Sequence, residues 1–263
     1  MWIWLILALL IGILILICHQ DTQYERFTTK PRKINAAVLY AAYNLDSDDL
    51  AFIVKYSKDI PFYVVINGEL TPEVQILKNT SNVKLLQREN VGYDTGAWKA
   101  GMRSFDLSNY DLVAFINNSC IFGGDFLRLC DHAIDYDLYS YGFSYELYKQ
   151  PFENPHLHAY MFFVNDRLYN SQHFQDFWAS ISENSGDHET SVNDNEYRLK
   201  DYFEDLNYKV GSYIFFDVED TYKYRLNNRY CPEIIKKREI KAYPEKMDYF
   251  NKGMENNIHN GYL

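Results

Sequence analysis

Short apolar segments alternate with helix-start signals through much of the chain, and this alternation limits the possible folds more than any other feature of the sequence. Apolar runs bounded by polar residues are typical of buried strands, whereas the polar segments 46–49 and 71–73 are signals for the start of a helix. Predicted strands cover residues 34–41, 61–66, 83–86, 112–116, 138–143, 160–164 and 210–216, and predicted helices cover 50–56, 94–105, 171–181 and 196–207, with another beginning at 71–73. Strands that are separated by helices pair in parallel, so the sequence predicts an α/β fold with a mostly parallel central sheet flanked by helices.

Residues 2–18 form an unbroken apolar run, which at ~1.5 Å per residue spans roughly 25 Å, somewhat less than the ~30 Å hydrocarbon core of a bilayer. A cleaved signal peptide would have basic residues before this run and small residues at its end. No Lys or Arg precedes the run, and residues 16–19 offer no small-residue cleavage pattern. We therefore expect residues 1–19 to be a retained single-pass transmembrane anchor and residues 20–33 to be a polar linker.

Basic residues lie on one side only of the predicted anchor. They are Arg26, Lys30, Arg32 and Lys33, which all follow it. Lysine and arginine are enriched on the cytoplasmic side of membrane segments, so we expect the domain that follows to be cytosolic, with the lumen of the ER or Golgi as the alternative.

Cysteine usage and the glycosylation sequons favour the same side of the membrane. Cys120, Cys130 and Cys231 are sparse and lack metal-like spacing, so we expect reduced core residues rather than disulfides. Sequons begin at Asn79 and Asn117, and the second lies in a segment that we interpret below as part of a binding site, where a glycan would block access.

The charge of the chain argues against nucleic-acid binding. Lys and Arg number 26 and Asp and Glu number 36, which gives a net charge of −10, whereas a nucleic-acid binder needs a basic face that neutralises phosphates. Aromatic residues make up 17% of the sequence, which fits either a well-packed core or stacking on sugars or bases.

The segment 88–101 connects a predicted strand to a predicted helix and carries the clearest pattern in the chain. Gly92 and Gly96 allow the backbone to turn tightly and to approach a ligand closely. Asp94 at the helix start is either a plain N-cap or an acceptor for the hydroxyls or ring N–H groups of a ligand. The segment is neither a Walker A loop nor a GxGxxG fingerprint.

Polar residues at three other positions are candidate site residues. Asn117 and Asn118 end a buried strand, where ligands bind in open α/β sheets, and fit a ligand, a hydrated metal or simple turn chemistry. His156 and His158 alternate before a predicted strand and have the spacing of two metal ligands, although no third ligand is evident. Glu196 begins a predicted helix after a polar loop and is either a first-turn partner of the helix dipole or a base at the mouth of a cleft.

These segments together resemble the rhamnan-synthesis protein F family of glycosyltransferases. Residues 88–101 resemble the family's N-x-G-x-D-x-G-x-W/Y-K-x-G segment, 115–119 its strand ending in Asn-Asp-Ser, and 156–162 its H-x-Q-S-Y-F segment. Residues 196–211 and 232–240 resemble two later blocks, the second with Ile-Lys-Lys at 235–237. The five motifs occur in the family's order, and the resemblance covers roughly residues 34–240.

The resemblance implies a GT-A-like nucleotide-diphospho-sugar transferase fold at 34–240, with 241–263 as a C-terminal extension. It implies transfer of a sugar, rhamnose by the family name, from a nucleoside-diphosphate donor to a glycan or polysaccharide acceptor, with inversion. In this reading Glu196 is the general base and Asp194 its substitute, and Asn117 and Asn118 face the diphosphate and a divalent cation, Mn²⁺ or Mg²⁺. The residues expected to bind substrate are Tyr40, Asn44, Asn90, Gly92, Asp94, Gly96, Lys99, His156, His158 and Lys236, with Lys237 as a second candidate for the leaving group.

Two positions depart from the family pattern. Asn118 replaces an acidic residue, and an amide holds a divalent cation less strongly than a carboxylate does. His158 replaces the usual Gln and can alter recognition of the sugar. The first departure keeps open a non-catalytic alternative, a membrane accessory protein that binds nucleotide sugars or glycans, and a purely structural membrane protein is a third reading.

Overall fold

The computed structural model describes residues 35–69, 71–122, 126–135, 142–144, 147–149, 156–157, 160–182, 198–208, 210–212, 215–217 and 234–237. Its strands are β1 Ala36–Ala42, β2 Phe62–Ile66, β3 Val83–Gln87, β4 Leu112–Asn117, β5 Cys120–Phe122, β6 Gly142–Ser144, β7 Leu147–Lys149, β8 His156–Leu157, β9 Met161–Asn165, β10 Val210–Ser212, β11 Phe215–Asp217 and β12 Ile234–Lys236. Its helices are α1 Ser47–Tyr56, α2 Pro72–Leu77, α3 Tyr93–Ser104, α4 Phe126–Asp135, α5 Asp166–Tyr169, α6 Gln172–Ser180 and α7 Arg198–Asp205.

Within the described ranges the largest sheet has seven strands in the order β10-β6-β9-β4-β1-β2-β3. β1 pairs in parallel with β2 and β4, β2 with β3, and β6 with β10. β9 lies antiparallel between β4 and β6. The prediction of an α/β fold with a mostly parallel central sheet is therefore confirmed.

Two smaller sheets lie beside the central one. β11 pairs with β7 in parallel and β7 with β8 antiparallel, while β12 pairs antiparallel with β5. His156 lies in β8, opposite Tyr148, and so belongs to a different sheet from β9. The predicted strand at 160–164 corresponds to β9, and residues 156–157, which the sequence analysis placed before that strand, form β8.

The core forms on both faces of the central sheet, because β1 and β2 are apolar throughout and β4 and β9 are apolar up to a final Asn. In β1 the alternate residues Val38 and Tyr40 face one cluster with side chains of α1, α2 and α4, whereas Leu39 and Ala41 face a second cluster with α3, α5, α6 and α7. Aromatic rings fill much of the second cluster, where Phe115 stacks on a neighbouring ring at 4.7 Å between centroids. Helices thus cover both faces of the central sheet.

The predicted elements up to β4 agree with the structure to within a few residues at their ends. The expectation that two of the cysteines are reduced core residues is also confirmed, since Cys120 and Cys130 are buried thiols. The sequence analysis missed β5, β7, β8, β12, α4 and α5. Among these only α4 has helical spacing of its apolar residues, at Phe126, Leu129, Cys130 and Ala133.

In the part of the chain that the structure describes, no helix is long and apolar enough to cross a bilayer. The predicted anchor at 1–19, the linker at 20–33 and the C-terminal extension at 241–263 lie outside the described residues.

Candidate active site

The strand order places a topological switch point between β1 and β4. The chain passes from β1 to β2 and β3 on one side of β1, and then returns to place β4 on its other side. In open α/β sheets ligands bind in the crevice outside the carboxyl ends of the strands at such a point. The loops after β1 and β4 and the start of α3 meet there.

Asn118 joins the loops that follow β1 and β4. Its backbone N–H donates to Ala41 O at 3.0 Å, and its Nδ2 donates to Asn44 O at 2.8 Å. Its Oδ1 accepts from the backbone N–H of Tyr43 at 3.4 Å. The structure thus brings the predicted residues Asn44 and Asn118 together, with Asn118 acting as a bridge between two loops.

Asp94 and Asn117 are also in direct contact. Asn117 is the last residue of β4 and is buried, and its Nδ2 donates to Asp94 Oδ2 at 2.7 Å. Its Oδ1 accepts from the backbone N–H of Ser119 at 3.0 Å and from the Ser119 hydroxyl. Asp94, half-buried in the first turn of α3, is therefore held over the carboxyl end of β4.

The loop between β3 and α3 is held in an unusual backbone conformation. Gly92 has φ 74° and Tyr93 has φ 51°, so two successive residues are left-handed, which only glycine adopts readily. Asn67 Nδ2 donates to Tyr93 O at 3.0 Å, and Arg88 donates to Asn67 Oδ1 at 3.1 Å and to Val91 O at 2.8 Å. The predicted Asn90 is exposed in this same loop.

Asn67 is a site residue that the sequence analysis missed. It follows the apolar strand β2, is 1% exposed and donates from its backbone N–H to Ala42 O at 2.7 Å. Its position resembles that of Asn117, since both are amides at the carboxyl end of a buried strand. An amide directly after an apolar run was therefore a signal that pointed to both.

The two amides predicted as metal ligands are already hydrogen-bonded in the structure. Asn117 Oδ1 accepts from both the backbone N–H and the hydroxyl of Ser119, which uses both of its lone pairs, whereas Asn118 Oδ1 accepts one bond, from the backbone N–H of Tyr43 at 3.4 Å. No group of three His, Cys, Asp or Glu with metal-binding geometry is found within the described ranges.

Lys237 lies in a network of carboxylates next to the crevice. Its Nζ is 2.7 Å from both Asp46 Oδ2 and Asp49 Oδ1, and its backbone N–H donates to Ser119 O at 2.8 Å. Asp46 caps α1, and its backbone N–H in turn donates to Asp49 Oδ2. Lys237 therefore connects β12 to the exit loops of β1 and β4.

Tyr40 lies beneath this network in the core. It is fully buried, and its hydroxyl donates to Asp49 Oδ1 at 2.7 Å. Burial, together with the Asp49 charge, raises the pKa of Tyr40 well above its usual value. The prediction had placed Tyr40 at the substrate, whereas the structure places its ring under the site, where it supports Asp49.

The two carboxylates of the network have opposite pKa shifts. Burial raises the pKa of Asp49, and Lys237 and the Tyr40 hydroxyl only partly offset this effect. Burial also acts to raise the pKa of Asp46, but the hydrogen bond and charge of Lys237 and hydrogen bonds to Asp49 hold it below its usual value.

Lys99 lies apart from the crevice residues described above. It is buried, and its Nζ donates to Ile181 O at 2.6 Å, just after α6. Gly96, by contrast, lies against the loop after β3, because a Cβ there would come 2.1 Å from Val91 O. Gly96 therefore permits the close approach of α3 to its own preceding loop.

The remaining predicted residues are described in part or not at all. Glu196, Asp194 and His158 lie outside the described residues, and of His156 and Lys236 the structure describes the backbone alone, in β8 and β12. Their assigned roles stay predictions.

Comparison with known proteins gives the family. The chain matches Rhamnan synthesis protein F over residues 62–248, which is more than half of its length. No curated protein matches it. Among solved structures it is similar to the apo form of the glycosyltransferase GlyE of Streptococcus pneumoniae TIGR4, with 17% identity, a TM-score of 0.39, and coverage of 68% of this chain and 45% of GlyE. A second structure of that glycosyltransferase gives 13% identity, a TM-score of 0.41, and coverage of 88% and 64%, so this chain spans less than two thirds of either.

The family match includes α3 with Asp94, the end of β4 and the Lys-Lys pair at 236–237, whereas β1 precedes it. It covers all five segments in which the sequence resembles the family. The chain belongs to the rhamnan synthesis protein F family.

Proposed function

We propose that this protein transfers a sugar from a nucleoside-diphosphate donor to a hydroxyl of a glycan or polysaccharide, with inversion at the anomeric carbon. The donor binds in the crevice outside β1 and β4, in a GT-A-like domain. Rhamnose is the sugar that the family description suggests.

The contact between Asp94 and Asn117 is the observation that supports this proposal most strongly. Asn117 fixes one carboxylate oxygen of Asp94 at 2.7 Å at the switch point of the sheet. A carboxylate accepts hydrogen bonds from hydroxyls and repels phosphate. We therefore place the hydroxyls of the donor sugar at Asp94, and the diphosphate farther along the crevice.

The polar loops around Asp94 supply the other donor contacts. Asn44 and Asn118 are joined at 2.8 Å and form one rim of the crevice, while Asn90 and Gly92 form the other. Because these loops are bonded to one another, they hold the donor with little loss of their own freedom on binding.

The transfer itself needs a base for the acceptor hydroxyl and a positively charged group near the departing diphosphate. In the proposed step an acceptor hydroxyl attacks the anomeric carbon from the face opposite the diphosphate. Glu196 takes the hydroxyl proton, and the electron pair of the broken C–O bond goes to the departing diphosphate. Lys236 is the proposed partner of that negative charge, since the Lys237 ammonium is already paired with Asp46 and Asp49.

The N-terminal segment supports a membrane location. Residues 1–19 serve as the anchor in this proposal, and the four basic residues after it favour a catalytic domain in the cytosol. A glycan precursor or polysaccharide that grows at that membrane surface is then the acceptor within reach.

A donor screen tests the proposed function. The full 263-residue chain is incubated with a panel of nucleoside-diphosphate sugars, and its melting temperature and the release of nucleoside diphosphate without acceptor are measured. We expect one donor class to raise the melting temperature and to be hydrolysed slowly. Binding without any turnover would favour the accessory-protein reading, and no binding by any donor would contradict the proposal.

A further inference from the structure

Two tyrosine side chains are exposed at the carboxyl edge of the sheet. Tyr43 follows β1 and is 53% exposed, and Tyr93 begins α3 and is 37% exposed. With Val91 they make up three of the five large apolar side chains that are exposed within the described ranges. Exposed aromatic side chains that gather at a binding edge point to a ligand with an apolar face.

The backbone of Tyr43 is fixed on both sides. Its N–H donates to Asn118 Oδ1 at 3.4 Å, and its carbonyl oxygen is 2.8 Å from the position of a Cβ built on Gly68. Only glycine at position 68 allows this approach. The Tyr43 side chain is thus presented from a loop whose path is set by the end of β2.

Tyr93 is fixed in a backbone conformation that a residue with a side chain rarely adopts. Its φ is 51°, directly after Gly92 at 74°, and the buried Asn67 donates to its carbonyl at 3.0 Å. Arg88 holds Asn67 in turn at 3.1 Å. Strained backbone that the surrounding structure enforces is concentrated at functional sites.

Asn67 connects the two tyrosine loops. Its backbone N–H donates to Ala42 O, the residue before Tyr43, while its side chain donates to Tyr93 O. The two tyrosines therefore flank the end of β2. They lie over the β1-α1-β2-α2-β3 unit, which is the half of an open α/β sheet that binds a mononucleotide.

We infer that Tyr43 and Tyr93 bind the nucleobase of the donor by stacking, with the sugar directed toward Asp94 and the diphosphate between them. This inference rests on the proposed function. Aromatic side chains stack on any base because every base has a π face, and loss of one such ring weakens binding by roughly 5- to 150-fold.

Titration with nucleoside diphosphates tests the inference. UDP and dTDP are titrated into the full chain as wild type, Tyr43→Ala, Tyr43→Phe and Tyr93→Asn, with Ile76→Ala as the control. Ile76 on α2 is 52% exposed, which matches Tyr43. We expect Tyr43→Ala and Tyr93→Asn to weaken the tighter nucleotide at least about five-fold, and Tyr43→Phe and Ile76→Ala to leave its affinity unchanged.

Thermal unfolding separates this role from a structural one. Asn tolerates positive φ better than Tyr does, so Tyr93→Asn is expected to keep or raise the melting temperature while it weakens nucleotide binding. A lower melting temperature with unchanged nucleotide affinity would overturn the inference. The inference would also be overturned if Tyr43→Ala and Tyr93→Asn bound UDP and dTDP as the wild type does but bound the nucleotide sugar more weakly. That result would assign the two rings to the sugar. Absence of binding by the wild type, both for these two nucleotides and for every donor in the screen, would contradict the proposed function as well, and only that outcome does so.

Discussion

Lys237 donates from its ammonium to Asp46 and Asp49 and from its backbone to Ser119, so one residue ties β12 to the loops that leave β1 and β4. Asp49 is 1% exposed at its side chain, whereas Lys237 is 22% exposed. Removing the lysine therefore leaves a buried carboxylate without its cation, which is far more costly than losing a surface ion pair.

We predict that Lys237→Met lowers the free energy of unfolding by about 2 kcal/mol at neutral pH. This is less than the ~3–5 kcal/mol expected for breaking a fully buried ion pair, because Lys237 is partly exposed to solvent. The loss should be smaller at about pH 5, because the pKa of Asp49 is already raised by burial and rises further without Lys237. A carboxylate whose pKa is higher in the folded state than in the unfolded chain destabilises the folded state while it is ionised. This cost fades as the pH falls through the folded-state pKa toward the pKa of the unfolded chain.

Denaturant unfolding at both pH values checks this prediction, with the exposed Lys78→Met as the control variant. A loss for Lys237→Met no larger than that of the control, or one that grows toward acidic pH, would contradict it.

Glu196 and Asp194 carry the prediction about the chemical step. Glu196→Gln keeps the size of the side chain but cannot accept a proton, so transfer should fall by ~10²–10⁴-fold with little change in donor affinity. Asp194→Asn is made in parallel and should keep most of its activity. If only Asp194→Asn is inactive, the base lies two residues earlier, and if both variants keep full activity, the proposed step is wrong.

Sequence patterns located some of these residues and not others. Asp94 and Asn117 were both expected at the carboxyl edge because each adjoins a recognisable strand or helix, and the structure joins them at 2.7 Å. Lys237 and Asp49 are 188 positions apart in the sequence, and their contact depends on the packing of β12, which no local sequence pattern predicts. For the same reason Tyr40, at the end of an apolar strand, was assigned to the substrate rather than to Asp49.

Among the elements, helix α3 packs against its surroundings through two glycines that differ in what they contact. A Cβ at Gly96 would come 2.1 Å from the backbone oxygen of Val91, whereas a Cβ at Gly101 would come 2.5 Å from Leu39 Cδ1 and 3.0 Å from Val65 Cγ2. Side-chain methyl groups can shift to make room, but the backbone of the loop before α3 cannot do so without changing the site.

We predict that Gly96→Ala weakens donor binding and destabilises the fold by more than Gly101→Ala does. Gly101→Ala should lower the free energy of unfolding by about 1–3 kcal/mol through overpacking, and higher helix propensity should restore up to ~1 kcal/mol of this loss. Donor affinity of Gly101→Ala should match the wild type. Titration and thermal unfolding of the two variants side by side measure both effects. Equal donor affinities for both variants would show that the loop does not depend on Gly96.

The elements up to β4 were predictable because long apolar runs and helix-start signals alternate there. The later strands β7, β8 and β12 have only two or three residues each, too few for a periodic pattern, and their pairing depends on distant partners. The antiparallel insertion of β9 between β4 and β6 likewise follows from chain topology rather than from its own sequence.

For the whole molecule, the N-terminal charge asymmetry predicts which side of the membrane the domain faces. We expect protease added outside sealed microsomes to digest the C-terminal domain, because the basic residues after the proposed anchor favour the cytosol. Asn79 in the first sequon is exposed and serves as an internal reporter. A protected domain that carries a glycan at Asn79 would place it in the lumen.

Donor binding at the switch point is tested most directly by titrating the nucleotide sugar found in the donor screen into the wild type, Asp94→Ala and Asp166→Ala. Asp166 is the matched control, since it lies in the first turn of α5 but at the opposite edge of the sheet, after the antiparallel strand β9. Asp94 and Asp166 are first-turn residues and not N-caps, since Gly92 and Asn165 hold those positions, so loss of either charge costs only ~0.3–1 kcal/mol through the helix dipole. Asp94→Ala also leaves the buried Asn117 Nδ2 without its acceptor, at about 1–3 kcal/mol, and we expect both variants to stay folded. We expect Asp94→Ala to weaken donor binding by more than about ten-fold and Asp166→Ala to leave it unchanged. Equal affinity of Asp94→Ala and the wild type would contradict a donor site between β1 and β4.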